Sequence, residues 1–250
     1  MLANKNAHKR DKYIEFDELP HIYTVKGEGG YTSVTKWVHS HFEQFNADKI
    51  IKKMMEKEDW DSKTNKYYGM TPQSIKQMWS DNGKAASAAG TKLHNDIEDF
   101  YNGKKVNNDS LEYGYFKNFY ESHKDLMVYR TEWMIYHEEL KFAGSIDVSY
   151  IMPDGSLILG DWKRCKDIKK NNPWGKYAKT SMIDYIPDTN YWHYSLQLNM
   201  YRYILEEKYD KKVKKLFLIC IHPDKDDYEC ITVPDMQNEI RSLLKISVSS

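Results

Sequence analysis

Hydrophobic and polar positions in the first hundred residues predict a β-hairpin followed by helices. Residues 13–35 contain two strand-like runs, and the GEGG stretch within them predicts the turn of the hairpin. Helices are predicted over 36–57 and 72–82, joined by a polar loop, and over 84–101, where Asn102-Gly103 ends the helix. The apolar stripe of this last helix consists of Ala86, Ala89, Leu93, Ile97 and Tyr101.

The rest of the chain contains further strand-like and helical segments. Helices are predicted over 110–125 and 189–208, and an irregular basic loop, 165–188, precedes the second of them. The predicted strands are 126–137, 142–152, 156–164, 213–222 and 228–233, and a final helix begins near Pro234. From residue 84 onward the main order is helix, three strands, helix, strand, which predicts an α/β (α+β) fold with a sheet flanked by helices. Because no flexible linker interrupts the pattern, residues 1–250 are predicted to form one domain.

The composition suits a protein with a sizeable core and a well-solvated surface. Of the 250 residues, 40% are hydrophobic and 14% are aromatic, and the mean hydropathy is −0.79. No apolar run approaches the ~18–20 residues that span a bilayer, and Met1 to Lys12 lack a secretory signal. Cys165, Cys220 and Cys230 match no zinc or iron–sulfur spacing. We therefore expect a cytoplasmic protein, neither secreted nor membrane-bound, or one of the host cytoplasm, nucleus or mitochondrion if the chain is viral or organellar.

Charge is unevenly distributed, although the chain carries 37 basic and 37 acidic residues. The segment 163–179 contains seven basic residues and one acidic residue. Local patches steer a polyanion, so this segment is a candidate DNA-binding surface, and the alternative is a solvated lysine-rich loop. The candidate DNA contacts are Arg164, Lys166, Lys169, Lys170, Lys176 and, for stacking on unpaired bases, Trp174.

The segment FAGSIDVSYIMPDGSLILGDWKRCK, residues 142–166, predicts a hairpin with an acidic face. Pro153-Asp154-Gly155 predicts its turn, because proline presets a type I turn and Gly155 can adopt the left-handed conformation. Met152 then faces Ser156, and the same register places Asp161 directly opposite Asp147. Lys163 lies on the same face as Asp161, because strand side chains alternate.

Two carboxylates in directly opposed positions repel each other unless something binds between them. A hard divalent cation such as Mg²⁺ takes oxygen ligands, including one or two protein carboxylates. The adjacent Lys163 supplies a positive charge for a phosphate or a developing anion. The alternative is a solvent-exposed strand face, which the apolar neighbours Leu157 and Leu159 disfavour.

The residues Asp147 and Asp161-Trp162-Lys163 resemble the signature of the PD-(D/E)XK nuclease superfamily, with Ile146 where the signature has proline. Two further motifs resemble the RecB-like branch, which includes lambda exonuclease-like and mitochondrial genome maintenance exonuclease-like enzymes. They are Gly90-Thr91 leading to His94 and Glu98, and later Gln197 with Tyr201. The opening PHIYTVKGEGGYTSVT resembles the N-terminal hairpin of phage and viral members.

This resemblance implies a restriction-endonuclease-like αβββαβ core over 84–222, with an N-terminal addition, 1–83, and a C-terminal strand and helix, 223–250. It implies that Lys163 positions the attacking water or stabilises charge, and that Gln197 and Tyr201 organise the site and the DNA backbone. Arg164 departs from the family pattern, in which a small hydroxyl residue often follows the lysine. The metal ligands that it implies are His94, Asp147, Asp161, the carbonyl of Trp162 and, as an additional candidate, Glu98.

The supporting residues also have structural interpretations. His94 and Glu98 are one helical turn apart, so they could be a helix-stabilising pair rather than ligands. Gln197 and Tyr201 have the same spacing and could belong to a core-facing aromatic stripe. Glu132, on the first of the three strands, is a further candidate ligand.

We therefore expect a Mg²⁺- or Mn²⁺-dependent deoxyribonuclease, with one or two ions, that hydrolyses phosphodiester bonds. An exonuclease acting on linear DNA in replication, recombination or repair, with a partner protein from such a process, is favoured by family analogy. The alternatives are a structure-specific or restriction-like endonuclease acting on DNA or RNA, and a non-catalytic DNA-binding protein of the same fold.

Overall fold

The computed structural model describes residues 1–249, with side chains described as far as residue 245. The predicted α/β class is confirmed: a central mixed sheet is flanked by helices, and an antiparallel hairpin lies at the N-terminus. The strands are β1 (Ile14–Asp17), β2 (Ile22–Val25), β3 (Thr32–Ser33), β4 (Met127–His137), β5 (Phe142–Ile151), β6 (Leu157–Lys163), β7 (Val213–Cys220) and β8 (Glu229–Thr232). The α-helices are α1 (Leu2–Lys5), α2 (Val34–Ser40), α3 (Ala47–Met55), α4 (Pro72–Tyr101), α5 (Leu111–Ser122), α6 (Asn190–Lys208) and α7 (Gln237–Ser249).

The chain divides into two compact units, Met1–Glu43 with Leu93–Ser250, and Gln44–Lys92. The smaller unit contains α3 and the first part of α4, and it buries Ile51 and Ile75. Within it, Trp79 donates a hydrogen bond to the hydroxyl of Tyr67 at 3.1 Å. The larger unit contains the sheet and both hydrophobic clusters described below. In the part of the chain that the structure describes, no helix is long and apolar enough to cross a membrane.

The six-stranded sheet runs β3-β5-β6-β7-β8, and β4 pairs with β5. β4, β5 and β6 form an antiparallel meander, and β7 then joins β6 in parallel after the crossover through α6. This is the helix, three strands, helix, strand order that the sequence predicts from residue 84.

Hydrophobic clusters cover both faces of the sheet. One face packs on α2, α6 and α7, with Leu157 and Leu159 of β6 pointing into that cluster. The other packs on α4 and α5, and receives Ile158 and Trp162 of β6. Because strand side chains alternate, Asp161 and Lys163 continue the leucine row toward α6. The site residues of β6 thus extend a buried apolar row.

The N-terminal hairpin differs from the prediction in the position of its turn. β1 and β2 pair from Ile14 opposite Val25 to Asp17 opposite Ile22, so residues 18–21 form the turn. The carboxylate of Asp17 accepts a hydrogen bond from the backbone of Leu19, a local bond that favours turns. The GEGG stretch instead follows β2, where a tight reversal bridges Val25 to Glu28.

Two of the predicted helix boundaries are wrong. The helix predicted over 36–57 is two helices, α2 and α3, because Asn46 caps a new helix by accepting a hydrogen bond from the backbone of Lys49 at 2.9 Å. The helices predicted over 72–82 and 84–101 are the single α4, which continues through Gly83. Of its predicted stripe, Leu93 and Ile97 are buried, whereas the alanines before them are not.

Candidate metal centre

The site lies where β5 loses its strand neighbour. β5 pairs with β6 from Ile151 to Val148, which lies opposite Gly160, and with β3 at Phe142 and Ala143. Residues 144–147 lie between these two pairings, at an opening in the sheet. The predicted hairpin register is confirmed, since Met152 donates its backbone hydrogen bond to the carbonyl of Ser156 at 2.8 Å. Asp147 and Asp161 therefore follow directly after the last paired residues.

Three side chains from three elements converge at this opening. His94 of α4, Glu132 of β4 and Asp147 of β5 each offer one ligand atom, and these atoms all lie within 4.8 Å of one another. His94 Nδ1 is 3.5 Å from Glu132 Oε1 and 3.7 Å from Asp147 Oδ2. Glu132 reaches the site because its neighbours Thr131 and Trp133 pair with residues on either side of Asp147.

The peptide of Trp162 orients two of these side chains. Its N–H donates to Asp147 Oδ2 at 2.8 Å, which replaces the strand pairing lost beyond Gly160. Its carbonyl lies 3.0 Å from His94 Nε2, so that nitrogen carries the hydrogen and donates. In the neutral imidazole, His94 Nδ1 then has the free lone pair and faces the carboxylates. Such a backbone contact sets the tautomer that a metal-binding histidine needs.

A second group of side chains adjoins the first on the α6 face. Lys163 Nζ is 2.6 Å from Asp161 Oδ2, and Asp161 is almost completely buried. Gln197 of α6 donates to Asp161 Oδ1 at 3.3 Å and lies 3.3 Å from the hydroxyl of Tyr201. Lys163 Nζ also lies 4.7 Å from the ring centroid of Tyr194. The structure thus brings together the predicted residues Asp161, Lys163, Gln197 and Tyr201.

Burial and crowded charges shift the pKa values of the site. Burial raises the pKa of Asp147 and of Asp161, and the nearby Asp147 carboxylate raises the pKa of Asp161 further. Burial opposes the charged form of Lys163, but Asp161 and Asp147 outweigh it and raise the pKa of the lysine above its ordinary value. Burial also opposes the charged form of His94, but Asp147 and Glu132 outweigh it and raise the pKa of His94 to about 9.

The donor set fits a divalent cation. One imidazole nitrogen and two carboxylates meet within a few ångströms, and a third carboxylate, Asp161, lies beside them. Oxygen ligands suit Mg²⁺ and Mn²⁺, and an imidazole adds affinity for the transition metal. Without a cation, the proton held by His94 balances part of this negative charge. The group could therefore exchange that proton for a metal ion.

The sequence-predicted ligands fall into two sets. His94 and Asp147 belong to the three-ligand group, and Glu132, which the sequence indicated only as a further candidate, completes it. Asp161 and Glu98 lie outside that group, Asp161 in contact with Lys163. Burial and the Glu132 carboxylate raise the pKa of Glu98, which places it near the site. Their roles as ligands, and that of the Trp162 carbonyl, stay predictions.

The predicted DNA-binding residues differ in their surroundings. Arg164 forms an ion pair with Glu112 at 2.7 Å, and Lys166 forms one with Asp224 at 3.0 Å. Lys176 lies 3.8 Å from Glu43, and Lys170 lies 4.8 Å from the ring centroid of Tyr191. Lys169 is exposed, and Trp174 is 78% exposed.

No family model matches the chain, and no curated protein matches it. Among solved structures, the chain is similar to a candidate exonuclease from Eubacterium rectale, with 10% sequence identity and a TM-score of 0.36 over 64% of this chain and 65% of that one. It is also similar to SSO0001, with 17% identity and a TM-score of 0.27 over 56% of this chain and 57% of that one. The match covers less than two thirds of the length of either neighbour. These TM-scores are too low to carry an argument about activity.

Proposed function

We propose that the chain is a divalent-metal-dependent nuclease that hydrolyses phosphodiester bonds in DNA. The observation that carries the proposal is the convergence of His94, Glu132 and Asp147 at the opening in the sheet, beside the ion pair of the half-buried Lys163 with the buried Asp161. Three buried or half-buried carboxylates with one lysine and one histidine form an unusual arrangement for a purely structural site, because like charges at close range are destabilising.

Each group has a role in phosphodiester hydrolysis. A bound divalent cation supplies Lewis acidity and lowers the pKa of bound water. Asp147 and Glu132 would hold it with carboxylate oxygens, and His94 would do so with Nδ1. Lys163 directs its ammonium toward the phosphate, where negative charge develops. Asp161 orients that ammonium, and Gln197 holds Asp161.

The exposed part of the basic loop suits contact with a nucleic acid. Lys169 and the 78% exposed Trp174 lie on the segment that follows Lys163. Phosphate contacts supply most nucleic-acid affinity, and an exposed indole can stack on an unpaired base. Arg164 and Lys166 already have carboxylate partners, so we assign them a smaller share of DNA binding.

We favour an exonuclease acting on linear DNA, by family analogy, and an endonuclease is the second candidate. Digestion of end-labelled linear and closed circular DNA, in EDTA, Mg²⁺ and Mn²⁺, separates them. We expect cleavage of the linear DNA with either metal, no cleavage in EDTA and an intact circle. Degradation of the circle would establish the endonuclease.

Two substitutions test the roles proposed for Asp161 and Lys163 in hydrolysis. Asp161→Ala and Lys163→Ala should each abolish cleavage while the protein remains folded by circular dichroism. Lys215→Ala is the matched control, because this lysine is exposed on β7 outside the site. Full activity of either site variant in Mg²⁺ or Mn²⁺ would contradict the proposed chemistry.

A further inference from the structure

Two cysteine thiols face each other immediately beyond the site. Cys165 Sγ lies 3.6 Å from Cys220 Sγ, and the Cys220 thiol also donates to the carbonyl of Cys165 at 3.0 Å. Cys220 is the last residue of β7 and is buried, whereas Cys165 is partly exposed. The proposed hydrolysis uses neither thiol.

The backbone holds the two cysteines in place. In the parallel pairing of β6 and β7, Cys220 is the register partner of Lys163, and Cys165 follows Lys163 by two residues. The carbonyl of Lys163 accepts hydrogen bonds from the backbone of both Ile221, at 2.9 Å, and Cys165, at 3.0 Å. The segments carrying the two thiols are therefore anchored on one peptide group.

The distance between the thiols is close to that needed for a bond. A disulfide has an S–S length of about 2.05 Å, so the two sulfur atoms must approach by roughly 1.5 Å. Side-chain rotation supplies part of this movement. The remainder must come from the chain around Cys165, because Cys220 lies within a paired strand.

We propose that Cys165 and Cys220 form a redox-sensitive modification site, in which a peroxide oxidises the pair to a reversible disulfide. One thiol is oxidised to a sulfenic acid while the peroxide O–O bond breaks and water leaves. The second thiol attacks that sulfur, the S–S bond forms and a second water leaves. The pair loses two electrons and two protons, and a dithiol reductant reverses the change.

Oxidation acts on the neighbouring site through Lys163. Drawing Cys165 toward β7 displaces the short segment between it and Lys163, and this couples the thiol state to the lysine that contacts Asp161. This consequence rests on the proposed nuclease function, whereas formation of the bridge does not.

The test uses the full chain, reduced and then treated with hydrogen peroxide in EDTA. After alkylation under denaturing conditions, mass spectrometry should show a fall from three free thiols to one, and peptide mapping should show Cys165 joined to Cys220. Cys230→Ser is the matched control and should keep the bridge. Cys165→Ser and Cys220→Ala should each lose the bridge. Because each variant removes a different thiol, the test still holds if one of them fails to fold.

The same samples test the coupling. Oxidised protein should cleave DNA at least about tenfold more slowly in Mn²⁺, since misplacing a reacting group by ~1 Å can cost up to ~10²-fold. A dithiol should restore the rate, and Cys165→Ser should be insensitive to peroxide. Three free thiols after oxidation, a single over-oxidised cysteine, or a bridge to Cys230 would overturn the site. A bridge with unchanged cleavage would overturn the coupling, and absence of cleavage in the reduced protein would refute the nuclease proposal alone.

Discussion

Glu132 shows how much of the site depends on single residues. Its φ is +42°, a left-handed backbone conformation that costs a non-glycine residue roughly 1–2 kcal/mol. The pairs on either side of it hold the strand, and Ser145 donates to its carboxylate at 3.1 Å. The conformation turns the carboxylate toward His94 and Asp147. Strain of this kind is often found at functional sites.

The strain at Glu132 predicts that the choice of replacement at this position changes stability, whereas loss of the carboxylate weakens metal binding with either replacement. In EDTA, Glu132→Gly should unfold with a free energy about 1 kcal/mol higher than Glu132→Ala, because only glycine adopts this φ without cost. Both variants should bind Mn²⁺ more weakly than the wild type. Urea unfolding and calorimetry measure the two effects. Equal stability of the two variants would show that the backbone is relaxed at this position.

His41 predicts a loss of stability in acid that is independent of the metal site. Burial, and then the charge of Lys179, lower its pKa to about 4, and its Nδ1 lies 2.9 Å from the hydroxyl of Thr180. Its buried Nε2 has no hydrogen-bond partner among the residues described. The unfolded chain, with a histidine pKa of about 6.5, therefore binds the proton first as the pH falls.

The stability contributed by neutral His41 is therefore complete above about pH 6.5 and is lost as the pH falls toward 4. Between pH 7 and pH 5 we expect His41→Asn to lose about 1 kcal/mol less than the wild type, a value reduced for partial exposure. Urea unfolding at both pH values measures this. Parallel losses in the two proteins would assign the acid sensitivity to other groups.

The turn of the β5–β6 hairpin fixes the register that places Asp161 opposite Asp147. The position of Glu132 opposite Asp147 depends on a second register, that of β4 and β5, which requires the turn between those strands to be known. That turn, residues 138–141, has no glycine or proline, and Lys141 adopts a φ of +52°. The Pro153-Asp154-Gly155 turn is a strong signal, with Gly155 at a φ of +80°. One hairpin was therefore predictable to the residue, and the other was not.

At the scale of elements, the site depends on how closely α6 packs on β5. A Cβ atom at Gly144 would lie 2.6 Å from the ring of Tyr201 and 3.0 Å from its hydroxyl. Tyr201 contacts Gln197, which holds Asp161. The absence of a side chain at Gly144 thus lets the α6 residues reach the acidic group.

Gly144→Ala should push Tyr201 and α6 away from β5. We expect a loss of about 1–3 kcal/mol in unfolding free energy, which is typical of overpacking in a core, together with slower cleavage. Gly114→Ala on α5 is the control, because its added Cβ meets nothing within 4 Å and alanine favours a helix by roughly 0.5–1 kcal/mol. Chemical unfolding of both variants tests this, and equal effects would remove the packing argument.

Helix boundaries were harder to predict than helix positions. Local capping by Asn46 separates α2 from α3, although both segments have helical patterns. Conversely, Gly83 lies within α4 without ending it, because a glycine in a helix costs only ~1 kcal/mol relative to alanine. The sequence pattern identified where apolar faces lie, and capping and packing decided where the helices end.

At the scale of the whole molecule, the site assembles from α4, β4, β5, β6 and α6, which are far apart in sequence. The hairpin of β5 and β6 could be predicted because its turn and acidic residues are local. The contact of His94 with the carbonyl of Trp162 depends on how α4 crosses the end of β6, which no local pattern specifies. The resemblance of motifs implied that both groups bind one metal ion, but it did not predict the hydrogen bond between them.

The convergence of these elements predicts that a cation stabilises the entire larger unit. A ligand that binds only the folded chain adds about 2.7 kcal/mol at a concentration of 100 times its Kd. Thermal unfolding of the wild type should therefore shift upward in Mn²⁺ relative to EDTA. Asp147→Asn should lose the shift, since it removes a ligand charge while an amide oxygen can still accept the Trp162 hydrogen bond. Lys163→Ala should keep or enlarge it, because removing the ammonium lessens repulsion of the ion. A shift in Asp147→Asn equal to that of the wild type would place the bound metal elsewhere in the protein.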